Sequence, residues 1–208
     1  MPFWTEQVVP RFTDKMLGTR EVTEHRRRVL DGLEGAVVEI GFGSGLNVPL
    51  YPLDVTTVYA VDPSSVARKL SAPRVDASPV TVEFVGLDGA SLPLGEASVD
   101  GAVSTFTLCT IPDVASAVRE VHRVLRPGGT FHFLEHGLCP DPSVAQWQHR
   151  LDGLQQRVAG GCHLDRPIET LVRDAGFEIT DLHNDQLAGP RFMRPWSYLY
   201  EGVATKAA

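Results

Sequence analysis

Cysteine is scarce: the 208-residue chain has three, Cys109, Cys139 and Cys162, odd in number, far apart and without a CxxC pair. That pattern argues against a disulfide framework or a zinc knuckle and fits a reducing compartment. No run approaches the roughly 18 consecutive apolar residues of a membrane span. The start, "MPFWTEQVVPRF", lacks a basic leader followed by an apolar stretch. Neither a secretory signal nor a membrane anchor is therefore expected, and the chain reads as soluble and cytoplasmic. Positive charge is also short: 19 Lys and Arg stand against 26 Asp and Glu, a formal net charge of −7. That balance disfavours nonspecific binding to nucleic acid. Repeats and low-complexity tracts are missing, and nothing in the sequence sets the oligomeric state.

What is present is ordinary globular material, 43% hydrophobic and 22% charged, enough for one sizeable core. Apolar, β-branched runs of strand length occur at "AVVEIG", "TTVYAVD", "VTVEFVG", "VDGAVSTF", "TFHFLEH", "FEITDLH" and "SYLYEGVA". Helical patterns separate most of them, over Arg20–Leu33, Ser64–Leu70, Asp113–Leu125, Pro142–Val158 and Pro167–Ala175, with Asp165 placed to cap the last. The basic cluster "HRRRVL" reads as the solvated face of the first of these helices. The alternation predicts an α/β fold: a doubly wound, mostly parallel, seven-stranded sheet with helices on both faces, its last two strands an antiparallel hairpin. Residues 1–34 form an N-terminal helical segment before a domain spanning 35–208. Phe3, Trp4, Val8, Phe12 and Met16 make that segment either a cover over the site or an extra core helix.

The first strand runs into Glu39-Ile40-Gly41-Phe42-Gly43-Ser44-Gly45. A dinucleotide fingerprint would need glycine at position 46, where Leu46 stands, so a nicotinamide-linked oxidoreductase is disfavoured. Glycines at 41, 43 and 45 still allow unusual backbone angles and close approach of a ligand. "YAVDP" puts Asp62 at the carboxyl edge of the sheet, where its carboxylate can accept both hydroxyls of a ribose. "GLDGASLPL" offers Asp88 to an adenine amino group, with apolar neighbours for the ring.

In that order, and with "VDGAVSTFTLC" and "EVHRVLRPGG" behind them, these motifs resemble those of class I S-adenosylmethionine-dependent methyltransferases from Ala36 to Glu135. The resemblance implies S-adenosylmethionine as cofactor: the glycine loop for its methionine part, Asp62 for the ribose, Asp88 for the adenine. Glu39, Asn47, Pro63, Gly89 and Thr105, beside these positions, join the expected cofactor set. Asp100, before the fourth strand, is read as structural or functional alike.

"STFTLCTI", "FHFLEHG", "WQHRLD" and "GGCHLDR" further resemble the thiol S-methyltransferase-like branch, in its pairs Leu108-Cys109, Glu135-His136, Trp147-Gln148 and Gly161-Cys162. Gly153 and Gln155 depart from that branch, which has Pro and Trp after the Leu-Asp pair. The resemblance implies a small-molecule methyl acceptor, with a thiol favoured over O-, N- or C-methylation or a non-catalytic cofactor-binding module. His136, at a strand's carboxyl end, is the candidate catalytic group that helps a thiol ionise, or else a capping histidine. Cys109, Trp147, Cys162, His163 and Trp196 are candidates for the acceptor pocket. No metal is expected: His132, Glu135 and His136 spell the inverted zinc-protease motif, but on a strand the two histidines stand about 13 Å apart.

Overall fold

The computed structural model describes residues 4–208; residues 1–3, including the Phe3 assigned to the N-terminal segment, lie outside the described residues. Seven strands, β1 (Gly35–Ile40), β2 (Val55–Val61), β3 (Thr81–Gly86), β4 (Val99–Thr105), β5 (Leu125–His136), β6 (Phe177–Gln186) and β7 (Tyr198–Lys206), form one sheet. Its order is β3-β2-β1-β4-β5-β7-β6. The first five strands pair in parallel, and β7 lies antiparallel to both β5 and β6. Strand order reverses at β1, which pairs with β2 on one side and β4 on the other, so the ligand crevice of this topology opens at their carboxyl ends.

The central strands are apolar on both sides because both faces are covered. On one face α2 (Arg20–Leu30) sets Val29 and Leu30, with Leu33 after it, against Val37, Val58 and Val103. On the other, α4 (Val114–Val124) and α6 (Ile168–Asp174) set Val118, Val121, Ile168 and Val172 against Val38, Ile40, Phe131 and Phe133. The remaining α-helices among the described residues are α1 (Val9–Leu17), α3 (Ser65–Asp76) and α5 (Pro142–Val158). Side chains cap several starts: Ser64 accepts from Ala67 N at 3.1 Å, Asp113 from Ser116 N at 3.0 Å and Asp141 from Ser143 N at 2.9 Å.

Four sequence expectations need correction. Helix α2 stops at Leu30 instead of Leu33, because Gly32 turns the chain at φ +77°. Helix α3 continues past Leu70 to Asp76 through Pro73; the amide lost there lies in the last turns, and Arg74 is held by Ser44 O at 2.7 Å. Asp165 does not cap α6; Pro167 stands at the cap position without a side-chain bond, and Asp165 meets His149 Nδ1 at 2.8 Å. The "HRRRVL" face is only partly solvated. His25 and Arg26 are buried, and Glu201 of β7 takes His25 Nδ1 at 2.7 Å and Arg28 Nε at 2.9 Å. Asp100 lies at the amino edge, away from the crevice. It accepts from Ala36 N at 2.8 Å and pairs with Arg126, a tie between β1, β4 and β5.

Candidate functional site

At the end of β1 the chain turns through Gly41, Gly43 and Gly45, with φ of +70°, +56° and +73°, a region that disfavours any side chain. A Cβ at Gly41 would overlap the Thr107 side chain, and one at Gly45 would press on Ser71 and Val48. At Gly43 only the oxygen of Gly41 lies near, at 3.7 Å, so the space above that residue is left open by the protein itself. The Gly43 amide donates to Asp62 Oδ2 at 2.8 Å, and Ser64 N donates to Asp62 Oδ1 at 2.7 Å. Burial pulls the Asp62 pKa up while these two amides pull it down. Each carboxylate oxygen keeps a lone pair for a further donor.

Pro63 and Asp88 are exposed beside this loop, and Asp88 Oδ1 takes the Ala90 amide at 2.8 Å. Gly89 lies where a Cβ would touch Ile111 at 3.3 Å and Ile40 at 3.7 Å, so the loops after β1, β3 and β4 meet there. The open space at Gly43, the remaining acceptor capacity of Asp62 and the exposed carboxylate of Asp88 fit an adenosine with an amino-acid tail.

Glu39, Asn47 and Thr105 lie beneath the loop and serve one another. Asn47 Nδ2 donates to Glu39 Oε1 at 2.7 Å and lies 3.2 Å from Thr105 Oγ1, while Tyr51 OH donates to Glu39 Oε2 at 2.5 Å. Arg26 completes the network, donating to Asn47 Oδ1 at 2.8 Å and Thr105 Oγ1 at 2.6 Å. Burial pushes Glu39 up to about 7 and Arg26 down to about 10, each opposed by the other's charge. Arg26 Nε is the one buried side-chain polar atom without a hydrogen-bond partner among the described residues. Arg26 was missed at the sequence level, although it shares a helical face with Val22, Val29 and Leu30.

A second group of the expected site residues gathers at the ends of β4 and β5 and the α5–α6 link. Phe106 takes φ +55°, strained for a non-glycine residue, and is held by its amide bond to Leu134 O at 2.8 Å and by Arg26 over its ring at 5.4 Å. The turn carries Thr107 against Gly41, with Thr107 Oγ1 3.4 Å from Gly41 O. Glu135, fully buried, fixes the same turn by accepting from Thr107 N at 2.9 Å and Ser104 Oγ at 2.6 Å.

Two residues beyond Thr107, Cys109 Sγ stands 3.5 Å from Cys162 Sγ, which in turn stands 3.5 Å from His136 Nε2. The contact with Cys109 and the facing His136 draw the Cys162 thiol down despite its burial. The contact with Cys162 and burial push the Cys109 thiol well up. Burial alone would lower His136, but Cys162 and Glu135 outweigh it and raise it. Backbone ties lock the arrangement: His163 N donates to Cys109 O at 2.8 Å, Arg166 donates to Leu108 O, and Leu138 N donates to Arg166 O at 2.9 Å.

The other expected pocket residues are placed unevenly. The His163 ring is held by Asp152 at 3.3 Å and Gln156 at 3.1 Å. Trp196 donates from Nε1 to Gln155 Oε1 at 3.0 Å. Trp147 is 52% exposed on α5 with the Arg150 guanidinium 5.3 Å from its ring, and nothing ties it to the sulfur cluster. His132 bonds to Val29 O at 2.6 Å and Thr130 Oγ1 at 3.0 Å, so it shares no ligand with His136.

Helix α1 does not add to the core. No residue of α1 is buried, and Phe12 and Met16 are 63% and 49% exposed. It reaches the glycine loop instead: Ser44 Oγ donates to Asp14 Oδ1 at 2.6 Å, and Arg74 of α3 pairs with the same oxygen at 3.0 Å. Trp4 Nε1 donates to Val158 O at the end of α5 at 2.8 Å.

Residues 38–133 match the model of a methyltransferase domain family. The mouse thiol S-methyltransferase TMT1B is 32% identical over 195 residues, 87% of this chain and 76% of that protein; its rat counterpart is matched over 62% of its length. An O-methyltransferase, resE of Aspergillus sclerotiorum, is 25% identical over 95% of this chain and 75% of its own. Among solved structures, a putative methyltransferase from Bacillus halodurans superposes with a TM-score of 0.71 at 15% identity, covering 90% of this chain and all of that one.

Proposed function

We propose that this chain, which belongs to the class I S-adenosylmethionine-dependent methyltransferase family, methylates the sulfur of a small thiol. The observation that carries the reading is the buried imidazole of His136 facing two sulfurs beside the turn that packs on the glycine loop. A site so made favours sulfur in its anionic form. The relatives named thiol S-methyltransferases support the same acceptor, while the O-methyltransferase relative keeps oxygen as the competing target.

When bound, S-adenosylmethionine supplies a methyl group on a sulfonium, which needs a nucleophile in line and no covalent enzyme intermediate. The residues do the rest. Gly41, Gly43 and Gly45 leave room for the methionine end, Asp62 accepts from the ribose hydroxyls, and Asp88 with Pro63 and Gly89 borders the adenine. Glu39, Asn47, Thr105 and Arg26 hold the loop from beneath. His136 helps the acceptor thiol give up its proton: a thiol near 8.5 is only a few per cent ionised at neutral pH, so modest help suffices. Helix α1, fixed by Asp14 to Ser44 and Arg74, covers the cofactor end and keeps water out.

Two measurements test the reading. Calorimetry with the demethylated cofactor is expected to give micromolar binding, weakened roughly 10- to 150-fold by Asp62→Ala, the worth of hydrogen bonds to a charged acceptor at about 1.5–3 kcal/mol. A turnover panel with methyl-labelled cofactor is expected to favour alkyl and aryl thiols. Turnover of phenols or amines with every thiol inert removes the thiol acceptor.

A further inference from the structure

We infer that Cys109, Cys162 and His136 form a three-donor site for a zinc-like divalent cation, whose fourth position takes the acceptor thiol. The placing of the donors carries this. Cys109 Sγ to Cys162 Sγ is 3.5 Å, Cys162 Sγ to His136 Nε2 is 3.5 Å, and all three donor atoms lie within 4.8 Å of one another. Tetrahedral zinc with bonds of about 2.3 Å to sulfur and about 2.0 Å to nitrogen sets neighbouring donors ~3.8 Å apart for two sulfurs and ~3.6 Å for sulfur and nitrogen. Two edges already match, and closing the third takes at most about 1 Å of side-chain movement.

Chemistry and support agree with the distances. Two thiolates and an imidazole are a borderline-soft set that suits zinc and leaves one position free, the pattern of catalytic rather than structural zinc. The donors come from three segments, yet the segments are already tied. The His163 amide bonds the Cys109 carbonyl, and Arg166 joins the Leu108 carbonyl to the segment after His136. A second partner orients one of the sulfurs: Thr110 Oγ1 lies 3.5 Å from Cys109 Sγ. Cys109 and His136 are buried while Cys162 is half-buried, so one side of the site is reached from solvent. The other acidic cluster, Asp152, His163 and Asp165, is already engaged with Leu164 N, Gln156 and His149.

The cation's chemical role rests on the thiol reading above. A thiol entering the fourth position bonds to the cation through sulfur as its S–H bond breaks, the electron pair stays on sulfur, and the proton leaves to solvent; nothing is oxidised or reduced. His136 then favours the thiolate as a ligand of the cation, without itself taking the proton.

The test uses the full chain, kept reduced. After chelation and dialysis, titration with cobalt(II) is expected to give thiolate-to-cobalt charge-transfer absorption that saturates at one equivalent, and zinc is expected to abolish it competitively. Cys109→Ser, Cys162→Ser and His136→Ala should each weaken the cation by about a hundredfold or more, beyond the tenfold to hundredfold typical of outer-shell changes. Cys139→Ser, whose sulfur lies outside the cluster, should bind as the parent does. Calorimetry with the demethylated cofactor checks that each variant is folded. Absence of the charge-transfer band, or its survival in Cys109→Ser or Cys162→Ser, overturns the site. Undiminished thiol turnover by the metal-stripped protein overturns the cation's part and leaves the thiol acceptor in place. Stoichiometric cation binding with turnover confined to phenols or amines retains the site and removes the thiol.

Discussion

Replacing Glu39 by glutamine tests the buried network beneath the glycine loop. Glu39 is 1% exposed, and its carboxylate accepts from Asn47 at 2.7 Å and Tyr51 at 2.5 Å. Burial raises its pKa from 4.5 to about 7, against the lowering pulls of Tyr51, Arg26 and Asn47. An acid whose folded pKa lies above its unfolded one keeps its proton longer in the folded state. The stability it contributes is therefore complete below pH 4.5 and is lost as the pH rises to about 7. At 1.36 kcal/mol per pH unit the full loss is about 3 kcal/mol, most of which falls between pH 5 and 8. Glutamine carries no charge at any of these pH values; its oxygen can accept from Asn47 and its amide can donate to the Tyr51 oxygen. Urea unfolding of parent and Glu39→Gln at pH 5 and pH 8 reads the effect directly. The stability difference is expected to move by about 2–3 kcal/mol in favour of the variant at the higher pH, with the urea slope unchanged. A difference equal at the two pH values refutes the reasoning, since it would mean that Arg26 keeps Glu39 ionised throughout.

The glycines separate fold from ligand. Gly41→Ala collides with Thr107 at positive φ and should destabilise by about 1–3 kcal/mol or more, read by urea melts. Gly43→Ala meets no protein atom closer than 3.7 Å, so it should cost only about 1 kcal/mol of stability yet weaken the demethylated cofactor at least tenfold by calorimetry. Equal effects of the two on binding would contradict the open space assigned to Gly43. Asp14→Ala removes a partly exposed contact, and its stability change should stay under about 1 kcal/mol. Stopped-flow dissociation of the cofactor should nevertheless quicken several-fold if α1 is the cover, and an unchanged rate would reject that role.

The placing of the candidate cofactor residues could be read from the chain because each element is local. Gly41, Gly43 and Gly45 follow directly on β1, and Asp62 follows directly on β2, so strand periodicity and one turn place them at the carboxyl edge. Asp88 is two residues past β3 in the same way. Periodicity misled where a residue's type and its face disagree. Arg26 lies on the apolar face of α2, and its charge suggested solvent; the structure buries it because Asn47 and Thr105 supply acceptors and Glu39 supplies opposing charge. Glu39, Asn47 and Thr105 were assigned to ligand contact for the complementary reason: sequence order shows that they adjoin the loop, not that their side chains point beneath it.

The acceptor half was less legible for a physical reason that also bears on its chemistry. Cys162 is 53 residues from Cys109 and 26 from His136. Metal and dithiol motifs are recognised by short spacing because a single turn or helix brings the donors together. Here the sheet does that work. Strand β4 delivers Cys109, β5 delivers His136, and the link after α5 folds back so that the His163 amide bonds the Cys109 carbonyl. Three sulfur and nitrogen donors held by separate segments can approach only as the completed fold allows. Substitutions that loosen the ties should therefore disperse the cluster without touching a donor. Glu135→Ala is the sharpest such change. It removes both oxygens that accept from Thr107 N and Ser104 Oγ, and so frees the turn leading to Cys109 while leaving Gly43, Asp62 and Asp88 in place.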